Sequence, residues 1–365
     1  MTSQTPIRCL VFRGGTSKGL YFHAPDLPGD VATRDEVLLA AMGAPDVREI
    51  DGMGGGHPLT SKVAVIKKSL RDDADVDYLF LQIWPDRAEV SDNQNCGNLL
   101  AGVGPFALEE GLLELSSPTS EVRIWMENTQ SLAVARIATP DGAVRYEGET
   151  HIDGVPGTSS SIPIEFLDIA GSTCGSLLPT GHSVDVIDGV RVTCIDNGMP
   201  VVCVRADDLG LTGYEEPQEI EANLDVCQKV EQLRLAAGPR MNLGDVTKKS
   251  VPKVSLLAPA KNGGVIATRT FIPHRVHEAI GVLGAVSVAT ACVVPGSVAQ
   301  EIAGVTADGS VMTLDVEHPS GYFSVSLEAV TKGSDVHVNS AALVRTARLL
   351  MRGDVLVPSS IWAGQ

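Results

Sequence analysis

Apolar residues recur along the chain in short alternating or continuous runs, separated by turns rich in glycine, aspartate and asparagine. This pattern is typical of β-strands, because a helix repeats its apolar positions every three or four residues. In the first half it predicts strands at 7–13, 20–22, 61–67, 76–84, 121–126, 131–138 and 145–151. In the second half it predicts strands at 185–192, 201–204, 254–258, 265–271, 311–316 and 322–327.

Helical patterns are fewer and fall between these strands. The predicted helices cover 35–42, 99–110, 217–237, 279–293 and 341–351. The small-residue run 99–110 and the apolar run 279–293 can be aligned so that 96–99 corresponds to 283–286. Each half then repeats one strand-rich unit around one buried helix. The sequence therefore predicts an α+β protein whose two domains cover 1–180 and 181–365.

Composition narrows the class of protein. The 365 residues are 44% hydrophobic and 20% charged, which is enough apolar material for full cores. The formal net charge of -17 argues against nucleic acid or an anionic membrane as a partner. The first six residues lack the basic start and apolar stretch of a signal peptide, and the apolar run 280–294 is too short to span a bilayer. We therefore expect a cytoplasmic protein.

Cysteine and histidine spacing gives no sign of a metal site or a disulfide framework. The seven cysteines are an odd number without a CxxC pair. Cys194 and Cys203 flank a turn signal and could face each other, but in a reducing compartment we expect two buried thiols. His274 and His277 are three residues apart with no third ligand nearby, so no metal is expected.

The stretch 92–98 (Asp-Asn-Gln-Asn-Cys-Gly-Asn) is the most informative one in the chain. It places Cys96 among amides and a glycine, directly before the predicted helix 99–110. The start of a helix offers unpaired N–H groups and a positive dipole end, which favour a thiolate and can hold an anion. A buried structural cysteine would not need three asparagines around it, so we favour a functional role.

A glycine-rich loop covers 15–19 (Gly-Thr-Ser-Lys-Gly). It matches the G-x-S-x-G pattern of serine hydrolases, but 20–22 is a predicted strand and not the helix that a nucleophile elbow requires. It also lacks the G-K-[ST] order of a phosphate-binding P-loop. Two interpretations stay open, an anion-binding loop flanked by Arg13 and Lys18 or a plain tight turn.

Lys62 begins an otherwise apolar strand. By alternation it shares one face with Ala64, while Val63 and Val65 share the other. A lysine at a strand end is usually solvated, whereas one held in a dry pocket can act as a base. Spacing alone does not decide between the two. The second half also contains the cations Lys253, Arg269 and Arg275. Each of them alone is only weak evidence for a binding site, because most such charges lie at the surface.

Four motifs in order resemble one family. They are 13–19 (Arg-Gly-Gly-Thr-Ser-Lys-Gly), 51–55 (Asp-Gly-Met-Gly-Gly), 58–64 (Pro-Leu-Thr-Ser-Lys-Val-Ala) and 95–98 (Asn-Cys-Gly-Asn). Together they resemble the PrpF-like isomerases, relatives of diaminopimelate epimerase. The resemblance implies two similar domains, each a curled, mainly antiparallel sheet or barrel around a central helix, with the active site between them. It implies no metal, flavin or nucleotide cofactor.

The resemblance also implies roles for particular residues. The epimerase relatives use two cysteines, and the position of the second is occupied here by Leu283. A lysine acts in the PrpF-like branch, so Lys62 and Cys96 are the expected catalytic pair, with the base unassigned. The expected substrate-binding residues are Arg13, Thr16, Ser17, Asn95, Gly97, Asn98, Asn197, Lys253, Arg269 and Arg275.

The implied activity is keto–enol tautomerisation of 4-oxalomesaconate, a small unsaturated tricarboxylate of gallate and protocatechuate breakdown. Alternatives within the family are 1,3-allylic isomerisation of the same substrate and isomerisation of methylaconitate or methylitaconate. A carboxylate-binding scaffold without catalysis is a further alternative, which an intact Lys62 and Cys96 disfavour. The oligomeric state stays open, with a homodimer as one arrangement.

Overall fold

The computed structural model describes residues 3–92, 95–167, 169–333 and 335–364. The chain divides into two compact units, Met1–Ile164 with Val344–Gln365, and Glu165–Leu343. This differs from the predicted domains 1–180 and 181–365. The reason is that the last strand of the chain, Ala347–Pro358, pairs antiparallel with the first, Gln4–Gly14, and so belongs to the first unit.

Unit 1 is built around a mixed sheet. Its elements are β1 Gln4–Gly14, β2 Ser17–His23, α1 Val31–Met42, β3 Lys62–Lys68, β4 Val76–Ile83, β5 Val90–Ser91, α2 Gly97–Leu100, α3 Val103–Glu109, β6 Thr119–Met126, β7 Ser131–Ala138 and the start of β8 Ile162–Leu167. Short 3₁₀ turns cover Ala24–Asp26 and Pro140–Gly142.

Unit 2 repeats this plan. Its elements are the end of β8, β9 Asp185–Ile187, β10 Val190–Asp196, β11 Pro200–Arg205, α4 Pro217–Ala222, α5 Leu224–Arg240, β12 Lys253–Ala258, β13 Ile266–Phe271, α6 Val282–Ala291, α7 Val298–Ala303, β14 Asp308–His318, β15 Gly321–Lys332 and most of β16 Asp335–Arg345. β17, Ala347–Pro358, returns to unit 1.

The two sheets share one pairing order. In unit 1, β1 pairs antiparallel with β2, β2 parallel with β3, β3 antiparallel with β4, β4 parallel with β6, and β6 antiparallel with β7. In unit 2, β10, β11, β12, β13, β14 and β15 pair in the same sequence of directions. Helices occupy the two parallel crossovers of each unit. The predicted repeat is confirmed at the level of topology, and the fold is α+β.

Local sequence explains the ends of α1. Asp30 accepts a hydrogen bond from the Thr33 N–H at the start, and Gly43 adopts φ 83° at the end, a conformation that glycine tolerates. One face of α1 is buried at helical spacing and packs against apolar residues of the sheet; its residues are Val37, Leu38, Ala41 and Met42.

Several predicted elements were wrong in detail. The stretch 341–351 is strand and not helix, because its residues pair with β15 and β1. The stretch 145–151 is irregular, with one isolated bridge at Thr150. The predicted helices 99–110 and 217–237 are each two shorter helices, the latter interrupted at Asn223. The predicted strand 185–192 turns at Asp188 and Gly189, both at positive φ.

The seven cysteines are free thiols. Cys194 lies opposite Val202 and Cys203 opposite Thr193, so the two are not cross-strand partners. No helix within the described ranges is both long and apolar enough to cross a membrane.

Candidate active site

The sheet of unit 1 has two differently covered faces. One face packs Leu20, Val63 and Leu81 against α1. The other face lies under α2, because the Tyr21 hydroxyl donates to the Leu99 carbonyl at 2.6 Å and the Tyr78 hydroxyl donates to the Cys96 carbonyl at 3.3 Å. We call this second side the α2 face.

Lys62 lies on the α2 face. It is the first residue of β3 and lies opposite Gly19 on β2 and Gln82 on β4. Lys62 is only 6% exposed. Cross-strand partners share a face, and Gly19 would touch Leu99 of α2 if it carried a side chain. The predicted alternation, with Lys62 and Ala64 on one face and Val63 and Val65 on the other, is confirmed. Lys62 is therefore a buried amine and not a solvated one.

Gln82 holds this amine in place. The Lys62 Nζ donates to the Gln82 Oε1 at 2.8 Å and lies 5.0 Å from the centre of the Phe80 ring. The Gln82 Nε2 donates to the carbonyls of Pro58, Ser61 and Ile83, which fixes its oxygen toward the lysine. Sequence reasoning missed Gln82, although a lone amide within an apolar strand was the available signal.

Cys96 precedes α2 and is 9% exposed. Its N–H donates to the Asn95 Oδ1 at 2.8 Å, and its carbonyl accepts the first helical bond, from Leu100. The helix has only four residues, so the expected macrodipole argument loses most of its weight. Asn93 and Gln94 of the motif lie outside the described residues.

Phe80 and Tyr78 connect Lys62 and Cys96 on the α2 face. Tyr78 and Phe80 follow Gln82 at alternate positions of β4, so all three side chains are on the α2 face. Phe80 contacts Lys62, and Tyr78 contacts the backbone of Cys96. Burial, and next the proximity of Cys96, raises the pKa of Tyr21 and of Tyr78 well above the usual value of a phenol. Both hydroxyls therefore stay protonated.

The β1–β2 turn adds hydroxyl groups beside Asn98. The Asn98 Nδ2 donates to the Thr16 Oγ1 at 3.1 Å. Gly15 has φ 49°, and a Cβ there would clash with the Asn98 side chain, so only glycine fits. The Ser17 Oγ is buried and has no hydrogen-bond partner among the described residues. Ser17 begins β2 and not a helix, which confirms that it is no nucleophile elbow.

Arg13 projects from the opposite face. It lies opposite Lys18 of β2 and shares its face of the sheet with the pair Val11 and Leu20. The next pair, Gly14 and Ser17, is on the α2 face. The Arg13 Nη1 donates to the carbonyl oxygens of Gly15 and Thr346 and to the Thr346 Oγ1. The structure thus brings Thr16, Ser17 and Asn98 together but not Arg13 with Lys62.

Glu49 is a buried carboxylate that sequence reasoning missed. It is 1% exposed, and its Oε2 accepts bonds from the Gly56 N–H and from the hydroxyl of Ser61, which directly precedes Lys62. A Cβ at Gly54 would clash with the same carboxylate. Glu49 therefore ties the glycine-rich loop 52–56 to the start of β3.

Lys253 occupies the equivalent position in unit 2. It is the first residue of β12, opposite Val201 on the parallel strand β11, as Lys62 is opposite Gly19. It is 8% exposed, and burial, with a smaller contribution from Arg234, lowers its pKa to about 8. A buried lysine of this kind can bind an anion or hold a movable proton.

Asn197 lies in the β10–β11 turn and is fully buried. Its N–H donates to the Ser287 Oγ and its Nδ2 to the Thr290 Oγ1, both on α6. Its Oδ1 has no hydrogen-bond partner within the described parts of the chain. Leu283, in the first turn of α6, lies next to Gly198 of this turn.

The remaining two predicted cations are already bonded. Arg269 donates to the carbonyl oxygens of Glu215 and Thr268, and burial lowers its pKa. Arg275 is mostly exposed and its Nε donates to the Glu221 carboxylate at 2.9 Å. Glu221 therefore balances the charge of Arg275 at the surface.

The family model of the PrpF protein matches residues 4–358. The chain belongs to the PrpF family. Curated PrpF relatives include the (4E)-oxalomesaconate Delta-isomerase of Novosphingobium sp. strain KA1, 58% identical over 96% of this chain and 97% of that protein. The 4-oxalomesaconate tautomerase of Pseudomonas putida is 57% identical over 99% of both chains. The predicted family and the predicted enzyme class, an isomerase, are confirmed.

Solved structures agree with the PrpF assignment. The crystal structure of methylitaconate-delta-isomerase superposes with a TM-score of 0.85 at 33% identity, covering 100% of this chain and 98% of that one. A hydroxyproline epimerase from Agrobacterium vitis superposes with a TM-score of 0.54 at 15% identity, covering 98% and 95%. The latter likeness concerns the fold alone and confirms the predicted epimerase-like architecture.

Proposed function

We propose that this PrpF protein catalyses the keto–enol tautomerisation of 4-oxalomesaconate and that Lys62 and Cys96 transfer the proton. The observation that carries the proposal is that both residues lie on the α2 face, joined through Phe80 and Tyr78 of one strand. The tautomerase of Pseudomonas putida, 57% identical over almost the full length, supports the choice of substrate.

The chemistry needs a base and an acid. 4-Oxalomesaconate carries a CH₂ group between a ketone and an unsaturated carboxylate, so its proton is acidic. A base removes this proton and leaves a dienolate, whose negative charge spreads onto the ketone oxygen. Protonation of that oxygen gives the enol. General acid–base catalysis by positioned side chains accelerates such transfers by about 10²- to 10⁴-fold.

Lys62 and Cys96 are suited to share the two steps. Gln82 and Phe80 hold the lysine amine in one orientation on a surface that is almost dry. Tyr21 and Tyr78 hold the start of α2, so the thiol of Cys96 is fixed relative to the same strands. Either group can take the first proton, and the other then supplies one.

Substrate oxygens need donors. We assign the Ser17 hydroxyl, which is buried without a partner among the described residues, to a carboxylate or dienolate oxygen. Thr16 and Asn98, already bonded to each other, lie beside it. For Lys253 and Asn197 of unit 2, a substrate contact stays a prediction from the sequence.

A second candidate reaction is the allylic isomerisation of the same substrate. The Delta-isomerase of Novosphingobium sp. strain KA1, 58% identical, favours it. Both reactions share the first proton removal and differ in where the proton returns. Return to oxygen gives the enol, whereas return to the distal alkene carbon gives the shifted double bond.

The test uses the purified chain with 4-oxalomesaconate in D₂O. We expect enol absorbance to rise quickly, with deuterium entering only the CH₂ position by NMR. Deuterium at the distal carbon would assign the allylic reaction instead. Lys62→Met and Cys96→Ala should each lower kcat by at least about 100-fold. The matched controls are Lys68→Met, an exposed lysine on the same strand, and Cys227→Ala, a half-buried thiol.

Wild-type kcat in both site variants would refute the assignment of the catalytic pair. No turnover of 4-oxalomesaconate by the wild type, with turnover of methylitaconate, would refute the substrate. A place in gallate breakdown, a cytoplasmic location and a homodimer stay predictions from the sequence.

A further inference from the structure

Three cations lie side by side on the face of the unit 1 sheet opposite the α2 face. Arg13 of β1 is directly opposite Lys18 of β2 and directly opposite Arg348 of β17. Residues paired in this way have Cβ atoms about 5 Å apart, and like charges there are destabilising. A row of three such residues therefore requires a compensating interaction.

The protein does not supply that interaction from its own acids. Within the described residues, none of the three cations forms an ion pair with a carboxylate. The chain has 45 acidic residues against 28 basic ones and pairs many of its other arginines. Arg8 and Arg352, on the same two strands β1 and β17, bind Glu110 and Glu109.

A cavity opens beside this row. Its volume is about 400 Å³, and its lining includes Arg13, Arg348, Tyr146, Thr158 and Ser159. The Arg13 Nη2 donates to the Ser159 Oγ at 3.2 Å, which turns the guanidinium toward the loop 155–159. Burial, and next the charge of Arg348, lowers the pKa of Arg13. Glu147 is the single carboxylate in the lining, and it is exposed.

We propose that this cavity binds a small polycarboxylate between the guanidinium groups of Arg13 and Arg348, as a second anion site apart from Lys62 and Cys96. Guanidinium groups bind carboxylate oxygens in pairs of parallel hydrogen bonds. The hydroxyls of Thr158 and Ser159 add donors, and the volume accepts a six-carbon acid. The inference does not rest on the proposed reaction, since neither Lys62 nor Cys96 lines this cavity.

The test measures binding of citrate and of inorganic phosphate to the full chain by calorimetry. Phosphate shares the oxyanion chemistry and serves as the comparison arm. We expect citrate to bind more tightly than phosphate and its affinity to fall as salt is raised. Arg348→Gln should weaken citrate binding by at least about 10-fold. Because Arg348 is exposed, this variant should stay folded.

Two variants separate this site from others. Arg352→Gln removes an arginine of the same strand that is paired with Glu109, so citrate binding should be unchanged. Lys62→Met should likewise leave citrate binding within about twofold of the wild type, whereas binding at the active site would be lost. Equal citrate affinity in Arg348→Gln and the wild type would overturn the proposal. Loss of all citrate binding in Lys62→Met, or tighter binding of phosphate, would overturn it as well.

Discussion

The Lys62 Nζ donates a hydrogen bond to the Gln82 Oε1 at 2.8 Å, from directly opposite positions on β3 and β4. Gln82 in turn uses its amide nitrogen on three backbone carbonyls. The amide therefore couples the position of the amine to the ends of two strands.

Replacing Gln82 should cost both stability and turnover. In Gln82→Ala the three carbonyls lose a donor, which lowers the free energy of unfolding by about 1–3 kcal/mol. Because the lysine amine is no longer held in one orientation, kcat should fall by about 10-fold or more, with a smaller change in KM. The control is Asn128→Ala, whose Nδ2 also donates to backbone carbonyls, of Phe80 and Asp92. It should lose stability but keep kcat; equal kcat losses in both variants would show that Gln82 acts only on folding.

Gly54→Ala tests the link between the glycine-rich loop and Lys62. The added Cβ would clash with the Glu49 carboxylate, which holds Gly56 and Ser61. We expect the free energy of unfolding to fall by about 1–3 kcal/mol and kcat by about 10-fold, measured by urea unfolding and steady-state kinetics. Gly29→Ala is the matched control, since nothing lies within 4 Å of its added Cβ. A fully active Gly54→Ala would show that Glu49 does not position β3.

Lys253 should make stability depend on pH. Its folded pKa, about 8, lies below the ordinary 10.5, so between these values the unfolded chain binds more protons. Stability from this group therefore rises from pH 8 to 10.5, and below pH 8 the buried charge costs at most ~3 kcal/mol. The free energy of unfolding of Lys253→Met should therefore be higher than that of the wild type at pH 7 and should rise less toward pH 10.

Urea unfolding at pH 7 and pH 10 measures this effect. The control is Lys261→Met, which changes an exposed lysine. Its free energy of unfolding should stay within about 0.5 kcal/mol of the wild-type value at each pH. A rise with pH in Lys253→Met as steep as in the wild type would contradict the assignment of the low pKa to this residue.

Alkylation tests whether Cys96 is the catalytic thiol that we propose. Burial raises the pKa of Cys9 to about 11 and those of Cys174, Cys194 and Cys292 to about 12, so these thiols should react slowly. With iodoacetamide at pH 8, loss of activity should follow modification of Cys96 by mass spectrometry, and substrate should slow it. The control is Cys227→Ala, which removes the half-buried thiol. Iodoacetamide should inactivate this variant at the wild-type rate. Inactivation while Cys96 stays unmodified would contradict its role.

Much of the site was accessible from the sequence because local rules apply to it. Alternation along 62–65 assigned the faces of Lys62 and Val63 correctly, and the structure confirms both. What alternation cannot give is the neighbour on another strand. Gln82 and Tyr78 reach the site only because β3 and β4 pair in one particular register.

The failures have a common physical cause. The stretch 341–351 is rich in alanine, leucine and arginine, which favour helices, yet it forms strands because distant partners pair with it. Arg13 stays a predicted substrate contact, but the sequence alone could not show that it leaves β1 on the face opposite Lys62. Glu49 carries no local pattern at all, since its partners Gly56 and Ser61 depend on how the loop folds.

The return of β17 to β1 has a consequence for how the chain is made. Unit 2 is one uninterrupted stretch, whereas unit 1 needs residues from both ends of the polypeptide. During synthesis the second unit is therefore complete while the first still lacks its outer strand. A ribosome that stops after residue 343 releases a chain whose candidate catalytic residues sit in an unfinished sheet.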